Sequence, residues 1–255
     1  MIIINDKIKN DGIINFDSGF YFGRGLFETV YIREKPILLK EHLDRLNRGL
    51  AKLNIDKIIS EECFMDALSI LGCKNCAVKL MVSENNTIFS NRDIPYKKED
   101  YERGFSLVVS KVRRNPYSHM TYIKSFNYYD NIIEREWAKS KGYDEALFLN
   151  TDNFVSEGSV SNIFFIKDNV IYTPHTSCGL LEGVVRNFII NNMNRYKIVE
   201  GKYRLDDFLN SDGVFITNSL LGIMKVNSIN DIKIKTCNCI NEVKKLYDEF
   251  LFSAI

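Results

Sequence analysis

Over residues 145–174 the chain reads EALFLNT, FVSEG, SNIFFIK and NVIYTP, four short apolar runs separated by turn residues. Each run is rich in β-branched and aromatic residues and too short for a helix, so four consecutive strands are predicted. Strands this short and this closely spaced commit the region to a sheet with tight connections. GVFITNS predicts a further strand. Helices are predicted in LLEGVVRNFIINNMNRY, where Val185, Phe188, Ile189 and Met193 recur at helical spacing, and in NEVKKLYDEFLFSAI. A helix over 128–141, stopped by Gly142, precedes the strand run.

The first third mixes both kinds of element. IIIND and GIINFD predict short strands around a turn at Asn10, Asp11 and Gly12. GLFETVYIREKPILL predicts a hairpin with a charged bend at Arg33, Glu34 and Lys35 and a far strand ending at Lys40. EHLDRLNRGLAKLNI sets Leu43, Leu46, Leu50 and Leu53 on one helical face, and Ser60, Glu61 and Glu62 open a second helix running to Leu71. AVKLMVSE and FSLVVSKV predict strands with a polar stretch, 85–102, between them. The segment from Arg113 to His119 is polar, carries Pro116 and follows a strand. It predicts a linker over 113–119, between a domain of residues 1–112 and one of residues 120–255.

Composition excludes several classes. Of 255 residues 45% are apolar and 26% charged, and the net charge is +1, so nothing steers the chain toward nucleic acid or an anionic membrane. MIIINDKIKN has too few apolar residues before Asn5 and Asp6 for a signal core. No window approaches the roughly 18 apolar residues that span a bilayer. The expected compartment is the cytoplasm. Cys73 and Cys76 form a CxxC, but Cys237 and Cys239 have the wrong spacing for a second pair and His42, His119 and His175 are scattered. Reduced thiols and no metal site are expected.

Chemistry concentrates around Lys124, in TYIKSFNYYDN. Its apolar neighbours Tyr122, Ile123 and Phe126 favour a depressed amine pKa and attack on a carbonyl. Downstream, VSEGSVSNIFFI carries Glu157. A lysine followed by a Glu-Gly-Ser cluster points to a covalent aldehyde cofactor. The amine forms a Schiff base, and the glutamate keeps a pyridine nitrogen protonated so that the ring accepts carbanion electrons. Ser159, Ser161 and Asn162 offer hydrogen bonds around it. A phosphate would suit the loop-to-helix step at Gly183, Val184, Val185 and Arg186, with Thr217, Asn218 and Ser219 completing the cradle. Arg45 is a helical cation one turn from His42, with Glu41 and Asp44 close by. Singly, each has an ordinary explanation as a solvated lysine, a turn glutamate, a helix start or a surface ion pair. Together they imply pyridoxal 5′-phosphate.

FGRGLFET, EHLDRL, IKSFNY, DEALFLN, VSEGSVSNIFF, YTPHTSCGLLEGVVR and TNSLLGIMKV occur in this order, nearly end to end. In this the chain resembles the class IV (fold type IV) pyridoxal-phosphate enzymes, which include branched-chain and D-amino-acid aminotransferases and aminodeoxychorismate lyase. The resemblance implies an α+β fold of two domains, a small α/β N-terminal one and a larger barrel-like C-terminal one, with the cofactor between them. It also implies a homodimer and a small-molecule substrate. Lys124 would be the Schiff-base lysine and proton carrier, and Glu157 the partner of the pyridine nitrogen. Arg45, the backbone amides of Val184 and Val185, and Thr217 would hold the phosphate, with Asn218 alongside. Tyr128 would lie near the ring hydroxyl. Thr29 in LFET, the segment TNSLLGIMKV, the EGSVSN cluster and RRNPYSHMTYIKSFNY are similar to the lyase branch, where a threonine assists proton transfer. D-amino-acid transaminases share the serine pattern. The implied reaction converts 4-amino-4-deoxychorismate to 4-aminobenzoate and pyruvate, in folate biosynthesis. Transamination of branched-chain or D-amino acids is the alternative. MVSENN departs from the pattern, because Ser83 and Glu84 stand where many relatives carry Arg-Gly. A substrate carboxylate must then be recognised elsewhere, and Arg24, Arg113 and Arg114 are candidates.

Overall fold

The computed structural model describes residues 2–9 and 13–253, so the expected turn at Asn10, Asp11 and Gly12 lies outside the described residues. The chain forms two compact units, one of Met1–Pro95 with Ile123–Tyr128, the other of Tyr96–Tyr122 with Tyr129–Ser253.

The first unit contains β1 (Ile2–Ile4), β2 (Lys7–Lys9), α1 (Ser18–Phe22), β3 (Gly25–Ile32), α2 (Leu39–Lys52), α3 (Glu61–Leu71), β4 (Cys76–Ser83) and β5 (Thr87–Asp93). Its sheet has the order β2-β1-β5-β4-β3, and every pairing is antiparallel. Alternation along β3 decides what each face does. Leu26, Val30 and Ile32 join the core with Leu43, Leu46 and Leu50 of α2 and Phe64, Ala67 and Leu71 of α3. Each such buried leucine contributes roughly 2 kcal/mol. The other face of β3 carries Phe27, Thr29 and Tyr31. Ser60 caps α3 by accepting the Cys63 N–H at 3.1 Å, and Gly72 ends it at φ +58°, where a Cβ would be strained.

Three expectations change in this unit. Residues 13–17 form no strand, because Asp17 turns the chain into α1 by accepting the Gly19 and Phe20 N–H groups. The hairpin expected after β3 is only a single bridge, Ile32 to Pro36, and the partner of β3 is β4 along its whole length. The polar stretch 85–102 contains β5, whose inward Phe89 is buried.

The second unit contains α4 (Lys98–Arg103), β6 (Phe105–Arg114), α5 (Tyr129–Ser140), β7 (Glu145–Asn150), β8 (Val155–Gly158), β9 (Asn162–Lys167), β10 (Val170–Pro174), α6 (Val184–Asn192), β11 (Ile198–Gly201), α7 (Leu205–Leu209), β12 (Gly213–Asn218), β13 (Gly222–Ile229), β14 (Ile232–Lys233) and α8 (Asn238–Ser253). The four strands predicted over 145–174 are β7 to β10. The sheet runs β11-β10-β9-β12-β13-β6-β7-β8, with β14 on β13. β8, at one end of that path, comes back against β9 and β10, so the sheet curls into an incomplete barrel. Its interior is filled by Leu107, Leu147, Val155, Ile163, Val214, Ile216 and Met224 among others.

The expected linker over 113–119 is not where the chain passes between units. Arg113 and Arg114 end β6 and pair with Leu149 and Asn150 of β7, so ladder hydrogen bonding, which the polarity of RRNP does not reveal, keeps them in the second sheet. The chain leaves the first unit after Pro95, returns for Ile123–Tyr128, and leaves again at Tyr129. Among the described residues no helix is long and apolar enough to cross a membrane, and no group of His, Cys, Asp and Glu is placed to hold a metal.

Candidate active site

In the first unit the site is built on β3. Glu28 points into the core face and is 1% exposed. A carboxylate there must be fully hydrogen-bonded. Arg45 donates through Nε at 2.8 Å and through Nη2 at 2.7 Å, and His42 Nδ1 lies 2.7 Å from Oε2. His42 and Arg45 are i and i+3 on α2, which brings both over one strand residue. Burial works to raise the Glu28 carboxyl, but Arg45 and His42 outweigh it and hold it far below the usual carboxylate range. Burial pushes His42 below its ordinary value against the pull of Glu28, and the positive charges of Arg45 and Lys124 push the same way. Arg45, expected on the phosphate, thus has its guanidinium aligned by Glu28.

Lys124 enters this unit on the short returning segment. Its carbonyl accepts the Phe27 N–H at 2.9 Å, Ser125 bridges Leu26, and the Phe126 N–H bonds Gly25 O at 2.9 Å. Gly25 makes the approach possible, since a Cβ there would lie 2.3 Å from the Phe126 ring. Lys124 Nζ rests 4.5 Å from the centroid of Phe27 and 5.1 Å from that of Tyr128, and those rings meet edge to face at 5.0 Å. Thr29 is two residues from Phe27 on the same face of the strand. The structure therefore groups Lys124, Tyr128 and Phe27, with Thr29 one position further along the same face of β3.

One cation was missed by sequence reasoning. Lys79 of β4 pairs with Thr29, lies 4.8 Å from the Phe27 centroid, and has no carboxylate partner among the described residues. Burial and the nearby Arg92 lower its pKa. The signal was in AVKLMVS, where a lysine interrupts an otherwise apolar strand. The arginine candidates are committed elsewhere. Arg24 binds the carbonyls of Leu53 and Asn54 at the end of α2, Arg113 binds Ser110 O, and Arg114 pairs with Glu157. The unusual SENN turn has a local use, since the Ser83 hydroxyl, the Asn85 N–H and the Asn86 amide all donate to buried Asp17.

The second unit holds the other group. Glu157 on β8 is buried. Oε2 accepts the Leu181 N–H at 3.1 Å and faces Asn162 Nδ2 at 3.5 Å, and Oε1 lies 3.2 Å from Arg114 Nη2. The turn after it is held by Glu145, whose Oε1 accepts the Val160 N–H at 2.7 Å and the Ser161 hydroxyl at 2.8 Å. Burial raises the Glu145 pKa despite these bonds. Ser161 thus spends its proton on Glu145, and Asn162 donates to Leu181 O at 2.9 Å. Gly183 packs directly on Asn162, leaving no room for a side chain.

Val184 and Val185 open α6, where Gly183 provides no side-chain cap and the first turn has no acidic residue. Free N–H groups remain there. α6 packs against β12, which ends in Thr217 and Asn218. The Thr217 hydroxyl is buried without a hydrogen-bond partner. Asn218 accepts the Leu220 and Leu221 N–H groups at 2.9 Å and so shapes the turn into β13. An uncapped helix start and an orphaned buried hydroxyl are features that a phosphate satisfies. The residues present fit a phosphorylated pyridine cofactor.

Residues 25–229 match the family model described as amino-transferase class IV, and the chain belongs to that family. The cofactor of the family is pyridoxal 5′-phosphate, and the fold is the α+β arrangement of fold type IV. The chain is 30% identical over 256 residues to the aminodeoxychorismate lyase of Bacillus subtilis, covering 91% of this chain and 87% of the relative. It is 31% identical over 267 residues to a probable branched-chain-amino-acid aminotransferase of Aquifex aeolicus, covering 93% and 86%. A crystal structure from Legionella pneumophila, provisionally named a 4-amino-4-deoxychorismate lyase, superposes with a TM-score of 0.86 at 26% identity, covering 94% of this chain and 96% of that one.

Proposed function

We propose that this class IV enzyme is a 4-amino-4-deoxychorismate lyase, releasing 4-aminobenzoate and pyruvate. The observation that carries the reading is the position of Thr29, two residues from Phe27 on the face of β3 where Lys124 Nζ lies 4.5 Å from the Phe27 ring centroid. A hydroxyl on the same strand face as the lysine's aromatic rest suits an elimination, in which one proton leaves the ring carbon bearing nitrogen and another is delivered to the departing three-carbon fragment.

Bound pyridoxal phosphate supplies an electron-accepting ring that stabilises negative charge at the carbon losing its proton. Lys124 would hold the cofactor aldehyde and, when free, would take that proton. Thr29 assists the second transfer. Glu157 would hold the pyridine nitrogen, and Tyr128 would serve the ring hydroxyl. Thr217, the Val184 and Val185 amides and Arg45 would hold the phosphate. Asn162 and Ser161 shape the cofactor wall, and Asn218 fixes the adjoining turn. Lys79, unpaired among the described residues, is the cation for a substrate carboxylate.

The test supplies aminodeoxychorismate to the purified protein without an amino acceptor and follows both products. Equal release of pyruvate and 4-aminobenzoate, lost in Lys124→Ala, is expected. Turnover of leucine or D-alanine that requires a keto acid, with no release of 4-aminobenzoate, would overturn the reading. The similarity to the Aquifex protein favours that second reading, transamination.

The enzyme is further proposed to be a cytoplasmic homodimer. Phe20, Tyr21 and Phe22 on α1 are 59–79% exposed and cluster with exposed Phe16, an aromatic surface of the kind a second copy covers. Sedimentation of the parent as a dimer and of Phe22→Ser as a monomer is expected.

A further inference from the structure

Arg114 is held from three directions. Its backbone ends β6, pairing with Asn150 and accepting the Thr151 N–H at 3.1 Å. Its guanidinium lies 4.0 Å from the ring centroid of fully buried Phe148. Its Nη2 is 3.2 Å from Glu157 Oε1, and both side chains are almost out of solvent. Stacking a planar cation on a ring while pairing its edge with a carboxylate is geometry that arginine provides and lysine does not. The fixed arginine therefore fixes Glu157.

We propose that Arg114 is a positioning residue that keeps Glu157 ionised and oriented toward the pyridine nitrogen, and so sets the pH range over which the bound ring stays protonated. This rests on the assignment of Glu157 under the proposed function. The physical reason is the cost of a buried carboxylate. Without Arg114 this buried carboxylate loses the cation paired with it at 3.2 Å, and burial then favours the protonated form. A neutral Glu157 no longer favours a protonated ring. Besides Arg114 from β6, titratable side chains stand on the neighbouring β7, β10 and the loop before α6. Glu145 from β7 lies against Gly158. Glu182 sits on the loop that supplies the Leu181 amide. β9 contributes the neutral Asn162, and Tyr172 of β10 is stacked on Phe165.

The test titrates pyridoxal 5′-phosphate into the parent, Arg114→Met, Arg114→Lys and Glu157→Gln, recording the dissociation constant and the absorbance of the bound cofactor between about pH 6 and about pH 8.5. The parent is expected to hold a constant affinity and spectrum. Arg114→Met is expected to lose roughly tenfold in affinity for each pH unit below the pKa of the freed carboxyl, with the absorbance changing over the same range. Arg114→Lys, which restores the charge, is expected to recover most of the flat profile. If Arg114→Met does not fold, Arg114→Gln carries the same expectation. Parent-like affinity and profile in the neutral variant, with binding weakened in Glu157→Gln, overturns the role of Arg114 and leaves that of Glu157 standing. A loss of affinity equal at every pH also overturns it, because packing alone would explain the loss. Parent-like behaviour of Glu157→Gln overturns the assignment of Glu157 itself.

Discussion

Glu28→Gln probes the part of the site that is least tolerant of change. The carboxylate is 1% exposed and takes three bonds of 2.7–2.8 Å from Arg45 and His42. Removing one partner of a buried ion pair costs about 3–5 kcal/mol, because the other charge is left without compensation. Glutamine keeps an acceptor oxygen, so a loss near the lower end, about 3 kcal/mol, is expected. That is a large share of the roughly 5–15 kcal/mol that holds a typical domain. Urea unfolding followed by far-ultraviolet circular dichroism measures it. Replacing the pair together, Glu28→Leu with Arg45→Met, should recover much of the loss, since no buried charge then remains. The parent also carries a pH signature. His42 and Glu28 both have folded pKa values below their unfolded ones. Each therefore contributes stability that is complete above its unfolded pKa and lost as pH falls. The loss should begin below about pH 6.5 from His42 and steepen below about pH 4.3 from Glu28. A Glu28→Gln loss under about 1 kcal/mol, or stability that does not fall through these windows, would refute the reasoning.

Thr217→Val should leave stability unchanged or raise it by up to about 1 kcal/mol, because the hydroxyl it removes has no partner; a weaker dissociation constant for pyridoxal phosphate is the accompanying expectation. Thr29→Val should lower lyase turnover about 10²–10⁴-fold with little change in cofactor affinity, as read by steady-state kinetics and absorbance titration. Glu145 is the opposite case to Glu28. Its folded pKa is raised, so its contribution is complete below the unfolded carboxyl value and lost as pH rises through the folded one. Glu145→Gln should accordingly be neutral or stabilising near pH 7 by thermal melting, while Glu145→Leu, which strands the Val160 N–H and the Ser161 hydroxyl, should cost about 1–3 kcal/mol.

Local pattern determined most elements. The leucine stripe of α2, the Ser60 cap of α3 and the alternation in β7 to β10 all appear at the predicted positions, because each depends on residues within a turn or two of one another. The residue types that chemistry requires were legible for the same reason, since a lysine in an apolar setting or a glutamate before a glycine needs no partner to be noticed.

Pairing was decided elsewhere. β3 has its sequence neighbourhood over 36–40 available for a hairpin, yet pairs with β4 across two helices, because that register buries Leu26, Val30 and Ile32 against α2. The linker expected from the polarity of RRNP lies inside a sheet, because hydrogen bonds to β7 hold Arg113 and Arg114 there. The same holds for the electrostatics. Sequence alone offered Arg114 as a candidate for a substrate carboxylate and singled out none of Glu28, Lys79 and Glu145. The fold placed Glu28 under Arg45, Arg114 on Glu157, Glu145 under the Ser161 turn, and Lys79 beside Phe27 without a counter-ion among the described residues. A charge acquires its pKa from what surrounds it in space, and those surroundings come from strands and helices far apart in the chain.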